Sequence, residues 1–212
     1  CQSDQDTADT SSAEATNASV VKQSSTLSLE AADYITEICD AQKISLDAQS
    51  GDVKITKAGT YQLSGTLKNG SVIVDAKDAV VRIVLNNAHI ESKNSAPVYV
   101  KHANKVIITL PKGTSSSLKD TAIYTVDEKE EPSAALFSKD DLTINGSGTL
   151  DITASYKNGI QCKDTLKLVN TNLNITAEND GIKAKDALLI YKGSYMVKAQ
   201  GDGIVTTNEK QQ

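Results

Sequence analysis

Three features of this 212-residue chain predict an all-β fold, a right-handed parallel β-helix with about 22 residues per coil. First, Asn158-Gly159-Ile160, Asp180-Gly181-Ile182 and Asp202-Gly203-Ile204 recur at a fixed spacing of 22 residues, twice in succession. Second, apolar residues align in columns between those markers: Leu142, Leu166 and Leu188; Ile144, Leu168 and Ile190; Leu150, Leu173 and Tyr195; Ile152, Ile175 and Val197. Third, these residues alternate with polar ones in three short runs per repeat, as strands with one buried face do. Each repeat then forms one turn of a solenoid and adds a rung to three sheets, spaced at about 4.8 Å. A leucine-rich repeat has a comparable period, but its L-x-x-L-x-L-x-x-N ladder and helical segment are absent. A β-sandwich would not hold column identity through three repeats.

Taken from the start, residues 1–26 are nearly all Ser, Thr, Ala, Gln and acid, too polar to bury a core, and are expected to form a disordered tether. A chain that begins with Cys1 and continues into such a tether resembles a processed bacterial lipoprotein. In that reading Cys1 is lipidated, and the protein is extracellular and lipid-anchored to the bacterial cell membrane. No run of about 20 apolar residues is present, so lipid alone would attach it. Cys39 and Cys162 are expected to be buried free thiols, because they lie far apart in sequence and Cys162 shares an inward column with Ala184.

Residues 27–52 are expected to cap the solenoid, with 30–41 as a short helix or an irregular strand pair, since an open first rung exposes core and strand edges. Residues 53–212 are expected to form the β-helix, incomplete at its C-terminus. Val53-Lys54-Ile55, Tyr61-Gln62-Leu63 and Val72-Ile73-Val74 alternate around turns at Gly59 and Gly70. Two looser rungs follow, and residues 111–133 then interrupt the repeat with a charged insertion long enough to be functional.

Counting outward positions places Phe137 and four lysines, Lys139, Lys163, Lys183 and Lys185, on one sheet face. The chain has a net charge of -5, so a basic stripe on it points to an anionic ligand; lysines on a solvated face are the plain alternative. The stripe has no arginine and only Phe137 as an aromatic, which fits nucleic acid poorly. An acidic polysaccharide fits better, with Tyr156 as an available aromatic partner. Two polar columns flank the stripe: Asn158, Asp180 and Asp202, and Asp140, Asp164 and Asp186. Carboxylates on adjacent rungs can share a Ca2+ held at about 2.4 Å from each, which makes Asn158, Asp180, Asp202, Asp164 and Asp186 the candidate metal ligands. Asn-Gly and Asp-Gly are also ordinary turn residues without any ion. Catalytic signatures are absent: there is no Gly-x-Ser-x-Gly, no phosphate loop and no zinc spacing.

Ile55-Thr56-Lys57-Ala58-Gly59-Thr60-Tyr61-Gln62-Leu63-Ser64-Gly65-Thr66-Leu67 resembles the carbohydrate-binding-domain surface lipoproteins of clostridia and relatives. Ser95-Ala96-Pro97-Val98-Tyr99-Val100-Lys101, the stretch from Phe137 to Leu150, and Asn179-Asp180-Gly181-Ile182-Lys183 extend the match. The resemblance implies a calcium-containing, pectate-lyase-like β-helix that binds cellulose and pectic polysaccharide without cleaving it, and it adds weight to calcium at Asp180 and Asp202. Asn158 and Asn179 depart from the Asp common in the family. A calcium-dependent polysaccharide lyase and a surface scaffold or adhesin without a sugar ligand are the alternatives.

Overall fold

The computed structural model describes residues 27–125 and 132–208. The expected tether and lipidated Cys1 lie outside the described residues, as does part of the insertion. The chain winds into a parallel β-solenoid of about seven turns with about 23 residues per turn. Strands follow rung by rung: β1 (Gln42–Ser45); β2 (Val53–Ile55) and β3 (Gly59–Leu67); β4 (Val72–Asp75) and β5 (Val80–Glu91). Next come β6 (Val98–His102), β7 (Lys105–Thr109) and β8 (Ser115–Lys119), then β9 (Ala134–Ser138), β10 (Asp141–Asn145) and β11 (Thr149–Ala154). The last rungs are β12 (Asn158–Cys162) and β13 (Thr165–Ala177), β14 (Ile182–Ala184) and β15 (Ala187–Ala199), and β16 (Ile204–Thr206).

Every inward column read from the repeat is a register pair. Leu142 pairs with Leu166 and Leu166 with Leu188; Leu150 pairs with Leu173 and Leu173 with Tyr195. Their side chains fill one continuous core with Ile160, Cys162, Ile182 and Ala184. Burial fades at the last rung, where Leu188 and Tyr195 are only partly buried and Ile190 and Met196 are exposed.

The strands form two sheets rather than three. Sheet I, nine-stranded, covers two faces, because β3, β5, β13 and β15 run through a corner; sheet II contains the seven short strands β2, β4, β6, β9, β12, β14 and β16. The corner is made by left-handed residues on five rungs, with the rung of β7 and β8 lying between the second and the third: Gly65 at φ 86°, Asn87 at 52°, Gly146 at 90°, Asn170 at 46° and Lys192 at 56°. Gly and Asn tolerate that conformation, which is why they recur there. At Gly146 an added Cβ would also lie 2.2 Å from the Leu110 carbonyl oxygen. Gly146→Ala is therefore expected to cost about 3 kcal/mol of unfolding free energy in a urea titration, combining left-handed strain with overpacking. A loss below about 1 kcal/mol would contradict this account of the corner.

The first sheet starts earlier than expected: β1, inside the stretch read as cap, already pairs in register with β3, and Leu46 enters the core. Before it, residues 27–41 form a strap across the outer face of sheet I. It contains one helical turn, Ala31–Tyr34, the short-helix option for that stretch. Asp33 is fully buried, with Oδ1 2.5 Å from Lys105 Nζ and Oδ2 3.1 Å from Lys167 Nζ. Burial by itself would raise its pKa, but the Lys105 contact, the Glu30 N–H, Lys167 and Thr143 together hold it down at about 2. A carboxylate with a depressed folded-state pKa contributes stability that is present above about pH 4 and lost as the pH falls through about 2. That contribution is about 2 kcal/mol. Amide exchange in the strap is expected to accelerate over that window; unchanged protection at pH 2 would contradict it.

Cys162 is the buried free thiol expected, and burial pushes it up to about 12. Cys39 is corrected: it is half-buried and disulfide-bonded, not a buried free thiol.

Candidate functional site

Strands of sheet II are three to five residues long, so each offers only one or two outward side chains per rung. One outward column runs from Lys54 through Ile73, Tyr99, Phe137, Gln161 and Lys183 to Val205. The next outward position, inside β6 and just past β9, β12 and β14, carries lysine on four consecutive rungs. The backbone N–H groups of Lys139, Lys163 and Lys185 donate to the carbonyls of Val100, Ser138 and Cys162, which keeps Lys101, Lys139, Lys163 and Lys185 in line. Three of the four lysines read from the sequence share this column; Lys183 stands in the neighbouring one, with Nζ 3.8 Å from Asp180 Oδ2. Lys101 was not among the expected residues. Its signal is a repeated tetrapeptide frame: Tyr99-Val100-Lys101-His102 matches Phe137-Ser138-Lys139-Asp140, Gln161-Cys162-Lys163-Asp164 and Lys183-Ala184-Lys185-Asp186.

Phe137 is not an exposed platform, contrary to the outward count. Residues 115–119 of the expected insertion do not interrupt the repeat but form the rung strand β8. The segment after it brings Tyr124 against the cluster of Ala96, Tyr99, Ala134 and Phe137, in which Phe137 is fully buried and Tyr99 4% exposed. The Tyr99 and Phe137 rings meet edge to face at 5.6 Å, and Lys101 Nζ and Lys139 Nζ stand 5.7 and 5.8 Å from the Tyr99 centroid. The Tyr124 hydroxyl donates to the buried Asp120 carboxylate, whose other oxygen accepts the Ser155 N–H at 2.6 Å. Burial pushes the pKa values of both Asp120 and Tyr124 upward. Tyr156, the expected sugar-facing aromatic, stacks on Tyr124 at 4.0 Å with Lys157 Nζ 5.0 Å from its ring centroid. It holds the insertion in place.

At the N-terminal end of the same face lies an open groove of about 580 Å3. Asp52, Asn69, Asn94, Ser95, Tyr99 and Lys101 are among its walls. Amide, carboxylate and hydroxyl groups of this kind suit vicinal sugar hydroxyls. Lys101 joins the groove to the lysine column.

The two polar columns differ in what their oxygens do. Asn158 Oδ1 accepts the Asp180 N–H and Asn179 Nδ2, both at 3.0 Å, and Asp180 Oδ1 accepts the Asp202 N–H at 3.0 Å. Asn158 and Asp180 are buried, Asp202 exposed. Backbone N–H donors thus offset the stacked charges in this column, engaging one side-chain oxygen each of Asn158 and Asp180. In the other column Asp140 Oδ2 accepts the Ala103 N–H at 2.8 Å, whereas Asp164 sits between Asp141 and Asp186. Burial, followed by those two neighbouring carboxylates, raises the Asp164 pKa to about 6. Among the described residues no three acidic, His or Cys side chains converge as a ready-made metal cage. The donor chemistry at Asp164 and Asp186 suits pairwise bridging by a hard cation completed with carbonyls and water.

The fold is shared with a solved polysaccharide lyase-like protein from C. thermocellum, a gadolinium derivative: TM-score 0.74, 34% identity, 78% of this chain and 68% of that one. The profile of the carbohydrate-binding domain-containing proteins matches residues 49–212, and this chain belongs to that family. A carbohydrate-binding domain-containing protein of Acetivibrio thermocellus is 36% identical over 149 residues, 66% of this chain and 52% of that protein. The chain spans about half the length of that relative.

Proposed function

We propose that this domain holds an extended acidic polysaccharide, of the pectin or polygalacturonate kind, along the outer face of sheet II without cleaving it. The observation that carries the reading is one lysine per rung at Lys101, Lys139, Lys163 and Lys185, a track about 14 Å long on a chain of net charge -5. Repeating carboxylates laid across the rungs would meet ammonium groups at the rung spacing, while the adjoining groove takes hydroxyls. Membership of the carbohydrate-binding domain family supports the ligand class. Cellulose, a neutral polymer, would use the groove alone.

Calcium is part of the proposal at Asp164 and Asp186, where it would relieve the carboxylate crowding that a proton otherwise relieves. Chelator is expected to lower the melting temperature by a few degrees and calcium to restore it, as mass action on a site of about millimolar affinity predicts. An unchanged melting temperature would exclude it. The second reading, a calcium-dependent polysaccharide lyase, is favoured by the lyase-like fold of the solved neighbour and by Lys163 standing directly before Asp164. Retention of polygalacturonate with calcium and then with chelator, while ultraviolet absorbance follows unsaturated uronate product, separates them: retention without absorbance supports binding, rising absorbance the lyase.

Lipid anchoring through the Cys1 sulfur and a disulfide made by Cys39 within the chain exclude one another, because Cys162 is free and a thioether-linked sulfur cannot also form a disulfide. The intact mass before and after reduction decides: an added diacylglycerol supports the anchor, and a gain of two hydrogens on reduction without it removes the anchor.

A further inference from the structure

We propose that the outer face of sheet I carries a second carboxylate-binding groove for an acidic saccharide chain, and that the strap occupies it in cis with Asp33 standing where a uronate carboxylate would bind. The inference rests on the carbohydrate-binding reading above and adds a separate site to it. Its floor is polar on four consecutive rungs: Arg82 on β5, Lys105 on β7, Thr143 and Asn145 on β10, and Lys167 on β13.

The contacts describe a ligand more than a cover. Asp33 Oδ1 meets Lys105 Nζ at 2.5 Å and accepts from Thr143 Oγ1 at 2.9 Å, while Oδ2 meets Lys167 Nζ at 3.1 Å. Asn145 Nδ2 donates to the carbonyls of Asp33 and Ile35, both at 2.9 Å, and Arg82 Nη1 donates to the Ile35 carbonyl at 2.8 Å. A sugar's carboxylate, hydroxyl and ring oxygens can accept from the same donors.

The strap's own burial is inverted. Leu27, Tyr34 and Ile35 are 46%, 49% and 49% exposed and Leu29 and Ile38 only half-buried, while the Asp33 carboxylate is fully buried. A segment kept only to cover a sheet would bury its apolar side chains, since a buried ion pair is weak as a source of stability. Two cations of the groove, Lys105 and Lys167, face Asp33 and the mostly exposed Glu30, while the third, Arg82, meets backbone carbonyls of the strap and no carboxylate among the described residues. Undocking would expose three.

The test is calorimetric titration of oligogalacturonate into the full chain and its Asp33→Asn variant, with amide exchange of residues 30–35 followed in the wild type. Expected are at least tenfold tighter binding by Asp33→Asn, loss of that gain when Lys105→Ala and Lys167→Ala are added, and faster strap exchange in the wild type at saturating ligand. Unchanged affinity in a folded Asp33→Asn variant would overturn the proposal. If that variant does not fold, the wild-type exchange decides: strap protection unaffected by ligand overturns it equally. The sheet II reading is tested independently, because Lys139, Lys163 and Lys185 lie on the other sheet. Wild-type binding that Asp33→Asn does not improve leaves that reading standing and removes this one; binding gained only in Asp33→Asn does the reverse.

Discussion

Phe137→Ala is expected to lower the unfolding free energy by about 3 to 5 kcal/mol, the usual loss for truncating a buried aromatic. Its ring is on the outward side of β9 and still fully buried, so its cost is not that of a solenoid core residue. It sits between Tyr99 and the returning insertion, with Ala96 and Ala134 beside it. Truncation removes that packing and leaves a void the sheet cannot close, because the strand backbones are fixed at the rung spacing. The insertion retains its Tyr124 to Asp120 hydrogen bond and the Tyr156 stack. Amide exchange at Thr125, whose N–H donates to the Asn94 carbonyl at 2.9 Å, should rise along with the loss of stability. A loss under about 1 kcal/mol in urea unfolding would mean that the insertion does not cover Phe137 in solution.

Replacing Lys139, Lys163 and Lys185 together by alanine is expected to weaken polygalacturonate binding about 30-fold while leaving the fold intact. Each exposed ammonium to carboxylate contact contributes about 0.2 to 1 kcal/mol, so three give about 2 kcal/mol, or roughly 30-fold in affinity. The wild-type affinity should fall with added salt and the variant's dependence on salt should be shallower. Binding of a neutral glucan should change little. Equal affinity in the two proteins, at low salt, would remove the lysine column from the site.

The repeat made the fold legible because a solenoid places residues 22 apart in direct register. Leu142, Leu166 and Leu188 align in sequence because they are hydrogen-bonded neighbours in space. Lysine stacking beyond β9, β12 and β14 could be read by the same counting. What escaped was whatever the period does not encode. Lys101 falls 38 residues before Lys139 because the insertion intervenes, so only the shared Lys-His and Lys-Asp frame links them. The burial of Phe137 and Tyr99 depends on a loop returning over the sheet, and the Asp33 to Thr143 contact spans 110 residues with no local pattern. The corner merges two expected faces into one sheet because Asn87, Asn170 and Lys192 bend strands without ending them. Asn158 and Asp180 stack as the column counting predicts, and Oδ1 of each also accepts the next rung's backbone N–H, a contact that residue identity alone does not reveal.

An acidic polysaccharide held, as proposed, along the lysine column of sheet II would place its carboxylates against those ammonium groups. The most direct measurement couples bound oligogalacturonate to the protein through carbodiimide-activated carboxylates, which form amides with the lysines they touch, and maps the modified peptides. Adducts concentrated at Lys101, Lys139, Lys163 and Lys185, suppressed by salt and by excess free ligand, are the predicted result. Adducts spread evenly over the surface lysines, or absent from these four while binding persists, would contradict it.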